Sequence, residues 1–233
     1  MNFKIKKSEF DHFSKLASEW WLKNGKFKIL HEIQPIRIKY IQDLLNREQL
    51  NKMKILDLGC GGGLISEGLT KIGANVTGID FVKDNINVAR MHAQKNNLNI
   101  NYKTLDFENE KISSKFDAII AFEVLEHLSD WEGFIKKIQS NLKSNGVLII
   151  STINRNLISK FLTIDLAENF LHWIPINTHN YHKFIRPKEL EFVLNQNNFT
   201  NISFQGLKYN PFKRKWMLTE NTNVNYFCSC FLN

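Results

Sequence analysis

A chain of 233 residues with 43% hydrophobic and 23% charged side chains can bury a core as one large α/β domain of ordinary globular composition. No run of about eighteen apolar residues offers a membrane span, and the first residues do not read as a secretory signal or a transit peptide. The net charge of +8 and pI near 9.3 favour an anionic partner: nucleic acid, an anionic bilayer or an acidic cofactor. The Lys and Arg residues are scattered, however, with Lys213-Arg214-Lys215 and Lys4-Ile5-Lys6-Lys7 as the tight clusters, so a solvated basic surface is the plainer reading.

Three cysteines, Cys60, Cys228 and Cys230, argue against a disulfide framework and for a reducing compartment. Cys230-Phe231-Leu232-Asn233 resembles a prenylation box only formally, Asn being an unusual last residue, and is set aside. Phe10, Phe13, Ala17, Trp20 and Trp21 recur on one helical face and predict an amphipathic N-terminal helix. A second helix is expected from about Glu32 to Leu45, with Ile33, Ile36, Tyr40, Ile41 and Leu44 inward. Arg37 falls on that inward face, either snorkelling at the helix edge or aiming a guanidinium at a ligand carboxylate.

Lys54–Gly63 follows, where a short apolar run runs straight into Gly59, Gly61 and Gly63, and Leu64, Ile65, Leu69 and Ile72 then take helical spacing. Strand, glycine turn and helix form the layout that seats a nucleotide-like ligand over a helix N-terminus. The spacing is G-x-G-x-G, and Leu64 stands where a dinucleotide fingerprint needs its third glycine. Asp57 precedes the first glycine, and Cys60 fills the turn as a small residue. A second strand, Ala74–Ile79, ends in Asp80, an acid placed to accept hydrogen bonds from ribose hydroxyls. These features together resemble the Rossmann-like S-adenosylmethionine-dependent methyltransferases.

The alternation continues with a helix at Asp84–Gln94, strands at Asn99–Leu105 and Phe116–Phe122, and a helix at Trp131–Leu142. Asn145-Gly146 is read as a turn into Val147–Ser151. Pro187 opens a further helix, and Ile202–Gly206 and Val224–Cys228 close the sheet with an antiparallel edge. The expected fold class is thus α/β: a Rossmann-like class I methyltransferase with a mostly parallel seven-stranded sheet and helices on both faces. The partition is one structural domain, with N-terminal helices (1–50) over the cofactor site, a core (51–233) and an apolar insertion at about 155–186.

Within that insertion, Leu157–Ile174 reads as a helix up to Pro175 and is apolar nearly all round. It is either buried against the domain or a lid or membrane contact. His179, Tyr181 and His182 follow in a loop where catalysis and simple solvation are both open. After the fourth strand, Glu123, Glu126 and His127 stand at i, i+3 and i+4, so one helical turn would gather them. They are candidates for a hard divalent cation such as Mg²⁺, for general-base work, or for a purely structural role. Asp106, after the third strand, is placed to reach an adenine amino group or else to cap its own turn. Phe122 is placed to pack on the adenine face.

With these residues in hand the chain resembles the ubiquinone-biosynthesis O-methyltransferases from about Phe10 to Phe231. The likeness rests on Trp20-Trp21, Gly25-Lys26-Phe27-Lys28, Leu30-His31 and Pro35-Ile36-Arg37. It rests also on Asp57–Gly63, Thr77–Asp80, Glu123–His127, Ser151–Asn156 and Thr178-His179. Lys183–Ile185, Tyr209-Asn210-Pro211 and Val224-Asn225-Tyr226 complete it. The glycine motif is shared by very many methyltransferases, whereas the tryptophan pair, Asn154-Arg155-Asn156 and the C-terminal motifs are more specific.

The resemblance implies S-adenosylmethionine as cofactor, held by Arg37, Gly59, Asp80 and the Phe122 position, where the family often has Met or Ser. It implies Mg²⁺ on Glu123, Glu126 and His127, and lipid contact through the region matching Leu157–Lys183. It also implies 2-polyprenyl-6-hydroxyphenol methylase and 3-demethylubiquinol 3-O-methyltransferase activities, His127 and Glu126 acting on the phenol, and other ubiquinone-biosynthesis enzymes as partners. The location implied is cytoplasmic, peripheral to the inner face of a bacterial plasma membrane. Two rivals are an RNA methyltransferase, though no basic stripe interleaved with aromatics supports nucleic acid, and a non-catalytic membrane-surface protein.

Overall fold

The computed structural model describes residues 14–45, 50–51, 53–170 and 180–233. The chain divides into two units, Met1–Ile120 and Ala121–Asn233, the division falling inside the strand β4 (Phe116–Phe122).

In the first unit, α1 (Lys28–Leu45) precedes the alternating run β1 (Lys54–Leu58), α2 (Leu64–Lys71), β2 (Asn75–Asp80), α3 (Lys83–Lys95) and β3 (Asn101–Thr104). Strand order is β3-β2-β1-β4, with β1 parallel to β2 and β2 parallel to β3. Parallel strands covered by helices bury both faces, and Ile55, Leu56 and Leu58 of β1 are accordingly buried. α1 begins a turn before the expected Glu32, and Pro35 lies inside it. Its buried face is Ile33, Arg37, Tyr40, Ile41 and Leu45.

The N-terminal amphipathic helix is corrected in part. Residues 14–16 are helical and run into the 3-10 turn Ala17–Glu19, but both tryptophans lie beyond it, while Phe10 and Phe13 fall outside the described residues.

In the second unit, α4 (Trp131–Gln139), β5 (Leu142–Ile153) and a helical segment (157–170) lead to α5 (Pro187–Gln196). Then come β6 (Phe199–Asn210), β7 (Lys215–Thr219) and β8 (Asn225–Leu232). Strand order is β5-β8-β6-β7 and each of these pairs is antiparallel. Asn145-Gly146 is not a turn between elements: β5 runs through it, Asn145 taking a φ of 59°. Among the described residues the sheet has eight strands, not the expected seven. The missed strand is β7, which lacks the Asn-Gly or Asp-Gly signature of a tight hairpin. Its hairpin with β6 closes instead with the left-handed φ of 47° on Arg214 and the Lys213 N–H bonded to Asn210 Oδ1 at 3.0 Å.

Candidate active site

One set of candidate residues lies at the carboxyl ends of β1 and β2, where ligands of open α/β sheets bind. Gly59, Gly61 and Gly63 take positive φ angles of 68°, 52° and 90°, conformations that cost a glycine little and other residues more. Gly63 heads α2, its carbonyl accepting the Glu67 N–H at 2.9 Å. Asp80 fastens the turn. One of its carboxylate oxygens accepts the Gly61 N–H at 2.9 Å, and the other accepts the Val82 N–H at 2.8 Å and Asn85 Nδ2 at 3.3 Å. Asp57, inside β1, accepts the Ser66 hydroxyl at 2.5 Å.

Both carboxyls are buried, and desolvation penalises their ionised forms. Burial pushes Asp57 up to about 7, with the Asp80 charge adding to the rise while the Ser66 hydrogen bond and the Arg37 guanidinium oppose it. Burial likewise pushes Asp80 up to about 6 against its three hydrogen bonds. Arg37 is 5% exposed on the inner face of α1, which removes the snorkelling reading and leaves its charge acting on Asp57.

Helical periodicity missed how Trp20 and Trp21 serve this turn. A Cβ at Gly61 or Gly62 would run into the Trp20 indole, so these glycines are bare because the indole lies against them. Trp20 Nε1 donates to Asn85 Oδ1 at 2.9 Å and its ring stacks on Phe27 at 3.9 Å. Trp21 Nε1 donates to the Gly62 carbonyl at 2.9 Å while its ring stacks on His92 at 3.3 Å. His31 Nε2 donates to the Trp20 carbonyl at 2.8 Å. The available signal was the pair itself, two large adjacent side chains in a unit whose central turn has none.

Asp106 turns its carboxylate onto its own loop, accepting the Glu108 N–H at 3.1 Å and Asn109 Nδ2 at 2.6 Å. This is the geometry of a turn aspartate.

The other set follows β4, in the second unit. Phe122 is buried with its ring edge-on to Phe227, centroids 5.6 Å apart. Glu123 carries a left-handed φ of 54°, an uncommon state for a non-glycine residue. Its N–H donates to the Ser151 carbonyl at 3.0 Å, and its carboxylate accepts the Ser151 hydroxyl at 2.8 Å. Only Leu125–His127 form a 3-10 turn, so the expected single helical turn carrying all three polar groups is not formed. Glu126 is buried and accepts the Thr152 hydroxyl at 2.9 Å. Burial, with the Glu123 charge adding to it, holds the Glu126 carboxyl well above the usual carboxylate range. Ser151 and Thr152, polar residues ending the apolar run Val147–Ile150, were the missed partners.

The metal expectation for Glu123, Glu126 and His127 is not met by this arrangement. Among the described residues no group of three or more His, Cys, Asp or Glu side chains is placed to hold a metal ion.

His127 is half-buried, and Lys183 Nζ donates to its carbonyl at 2.9 Å. Thr178 and His179 lie outside the described residues; Tyr181 is edge-on to Phe184, and His182 is exposed. The Asn154-Arg155-Asn156 motif ties loops together. Asn154 Nδ2 donates to the Thr222 carbonyl at 2.9 Å and Asn156 Nδ2 to the Asn223 carbonyl at 2.7 Å, while Arg155 pairs with Glu189. Asn156 also caps the helical segment that follows, whose Leu157 (77%), Ile158 (53%) and Phe161 (58%) are exposed. The apolar insertion thus presents side chains to solvent at its start.

Residues 29–204 match the family described as a methyltransferase domain. The ubiquinone biosynthesis O-methyltransferase of Pelagibacter ubique (strain HTCC1062) is 43% identical over 237 residues, covering 98% of this chain and 99% of that protein. Its namesake from Rickettsia prowazekii (strain Madrid E) is 42% identical, covering 96% of this chain and 89% of that one. Among solved structures, the magnesium protoporphyrin IX methyltransferase of Synechocystis PCC 6803 with bound SAH superposes with a TM-score of 0.71 at 17% identity. The match covers 99% of this chain and 100% of that one. A possible histamine N-methyltransferase of Thermotoga maritima gives a TM-score of 0.67 at 14% identity, covering 96% of this chain and 100% of that one. At such identities the likeness shows the fold, that of the Rossmann-like class I methyltransferases. On the sequence relatives and the domain match, the chain belongs to the ubiquinone biosynthesis O-methyltransferases, S-adenosylmethionine-dependent enzymes.

Proposed function

We propose that the chain methylates a phenolic oxygen of polyprenylated phenol and catechol intermediates, serving both O-methylation steps of ubiquinone synthesis. It meets these substrates at an anionic bilayer surface, on the inner face of a bacterial plasma membrane. The observation that carries this reading is the bare glycine turn fastened by Asp80 in a chain of this family.

When bound, S-adenosylmethionine supplies an electrophilic methyl group. Gly59, Gly61 and Gly63 turn the chain at the head of α2 with positive φ angles, and the ligand meets that turn on the side that Trp20 does not cover. Asp80 accepts ribose hydroxyls, and Arg37 and Asp57 set the charge balance around a ligand that carries both signs. The N-terminal segment, through Trp20 and Trp21, holds the turn in shape.

A phenol has a pKa near 10, so few molecules are ionised at neutral pH. His127 takes the phenolic proton, imidazole being the side chain whose ordinary titration range spans neutrality. Burial biases the Glu126 carboxyl toward its neutral form and so tempers the negative charge set near the phenolate. Membrane contact is supported by the exposed Leu157, Ile158 and Phe161, since a polyprenyl tail resides in the bilayer and no helix among the described residues is long and apolar enough to cross one.

The test is methyl transfer to a short-chain demethylated ubiquinol by the parent chain and by His127→Ala. The expected result is a turnover about 10²–10⁴-fold lower with S-adenosylhomocysteine affinity unchanged. Collapse of that affinity with normal residual turnover would move His127 to the cofactor site.

A further inference from the structure

The most exposed large apolar side chain among the described residues is not in the insertion. Phe212, at the tip of the β6–β7 hairpin, is 97% exposed. Lys213, Arg214 and Lys215 follow it directly and are all exposed. From Gln205 to Asn233 the cations Lys208, Lys213, Arg214 and Lys215 face Glu220 as their sole acid, so the hairpin is locally basic. The tip is held in shape. Asn210 Oδ1 accepts the Lys213 N–H at 3.0 Å, Arg214 takes its positive φ, and the Tyr209 and Trp216 rings lie 5.5 Å apart at its base. β6 and β7 pair from Gly206–Thr219 to Asn210–Lys215, immediately below the tip.

An ordered loop that puts one aromatic ring fully into solvent beside consecutive cations is matched to a surface with an apolar interior under anionic headgroups. We propose that the tip Pro211–Lys215 is a lipid-docking site, with Phe212 entering the acyl boundary and Lys213, Arg214 and Lys215 binding anionic phospholipid headgroups. This rests on the membrane reading above and adds to it a second attachment point, in a different part of the chain from the helical segment. Surface attachment through one weak element is marginal and reversible, and a second signal makes it stable. Nucleic acid would also answer the charge, but a backbone-tracking groove needs more than one turn of cations.

The test is sedimentation of the full chain with vesicles of phosphatidylcholine alone or with phosphatidylglycerol added. The variants are Phe212→Ala, the triple Lys213→Ala/Arg214→Ala/Lys215→Ala, and Phe161→Ala in the insertion. Each cation near an anionic leaflet is worth about fivefold in partition, so the triple variant should bind anionic vesicles about 100-fold more weakly and lose most of the salt dependence. Phe212→Ala should lower binding about tenfold, and both should keep S-adenosylhomocysteine affinity and methyl transfer to a short-chain substrate.

As a positional readout, Phe212→Cys carrying an environment-sensitive dye should shift to the blue on anionic vesicles. The three native cysteines are buried and leave that label selective. Hairpin variants that bind like the parent while Phe161→Ala does not would overturn the proposal and leave the membrane reading standing. A parent that ignores both vesicles would overturn both, and loss of methyl transfer in the parent would instead indict the enzymatic reading. Binding of an RNA duplex that disappears in the triple variant while vesicle binding persists would reassign the tip to nucleic acid.

Discussion

At the glycine turn one methyl group is enough to upset the site, because the space a Cβ would take at Gly61 or Gly62 is filled by the Trp20 indole. Gly61→Ala adds backbone strain at φ 52° to that clash. It should cost about 1–3 kcal/mol in denaturant unfolding and weaken S-adenosylhomocysteine binding at least tenfold by calorimetry. The two neighbouring acids make a pH prediction. Asp57 and Asp80 are raised to about 7 and about 6 in the folded chain, so the folded state binds more protons than the unfolded one across that interval. Stability without ligand should therefore fall as pH rises from about 4 through about 7, and Asp57→Asn should flatten the melting temperature over that range. A cationic ligand favours the ionised carboxylates, so S-adenosylmethionine affinity should rise with pH across the same window and level off above it. An affinity independent of pH would separate the ligand from these acids.

At the scale of elements, the segment after β4 shows how far residue patterns reach. Glu123, Glu126 and His127 were picked out from chemistry alone, and the structure does give Glu126 a strongly perturbed carboxyl. Their presumed helical turn was wrong because Glu123 adopts a left-handed φ, a backbone state that spacing does not reveal. The partners that hold them, Ser151 and Thr152, come from β5, twenty-eight and twenty-six residues onward, and only strand pairing brings them in.

The same division runs through the rest of the chain. Strand β4 is legible to the residue and β1 as a short apolar run, whereas β7 is hidden by its polar, hairpin-tip neighbours and the absence of a turn glycine. Trp20 and Trp21 read as one face of a helix because aromatic spacing cannot distinguish a core stripe from two rings laid on a turn. Thr152→Val tests the element directly. Loss of the hydroxyl leaves a buried Glu126 oxygen without its donor, and the expected cost is about 1–3 kcal/mol with a larger relative fall in kcat than in cofactor affinity.

For the whole molecule, the net charge of +8 is the property that the local sites leave unused. It should draw the chain toward anionic surfaces by long-range attraction that salt screens over about 10 Å at 0.1 M. Association with anionic vesicles is expected to weaken by an order of magnitude or more between 50 and 500 mM salt, while methyl transfer to a water-soluble phenol changes little. Equal salt sensitivity of the two assays would place the charge at the active site instead.

The Asp80 carboxylate has one more consequence. A carboxylate offers about four acceptor directions, and Gly61, Val82 and Asn85 already fill three of them. A ribose diol brings two donors to roughly one open direction, so in the proposed role the ligand enters by exchange, and the weakest bond, from Asn85 at 3.3 Å, is the one to yield. Asn85 is also the acceptor for the Trp20 indole N–H. In that proposed role nucleoside arrival would be wired to a fluorophore, and Trp20 emission should respond to ribose occupancy with no label attached.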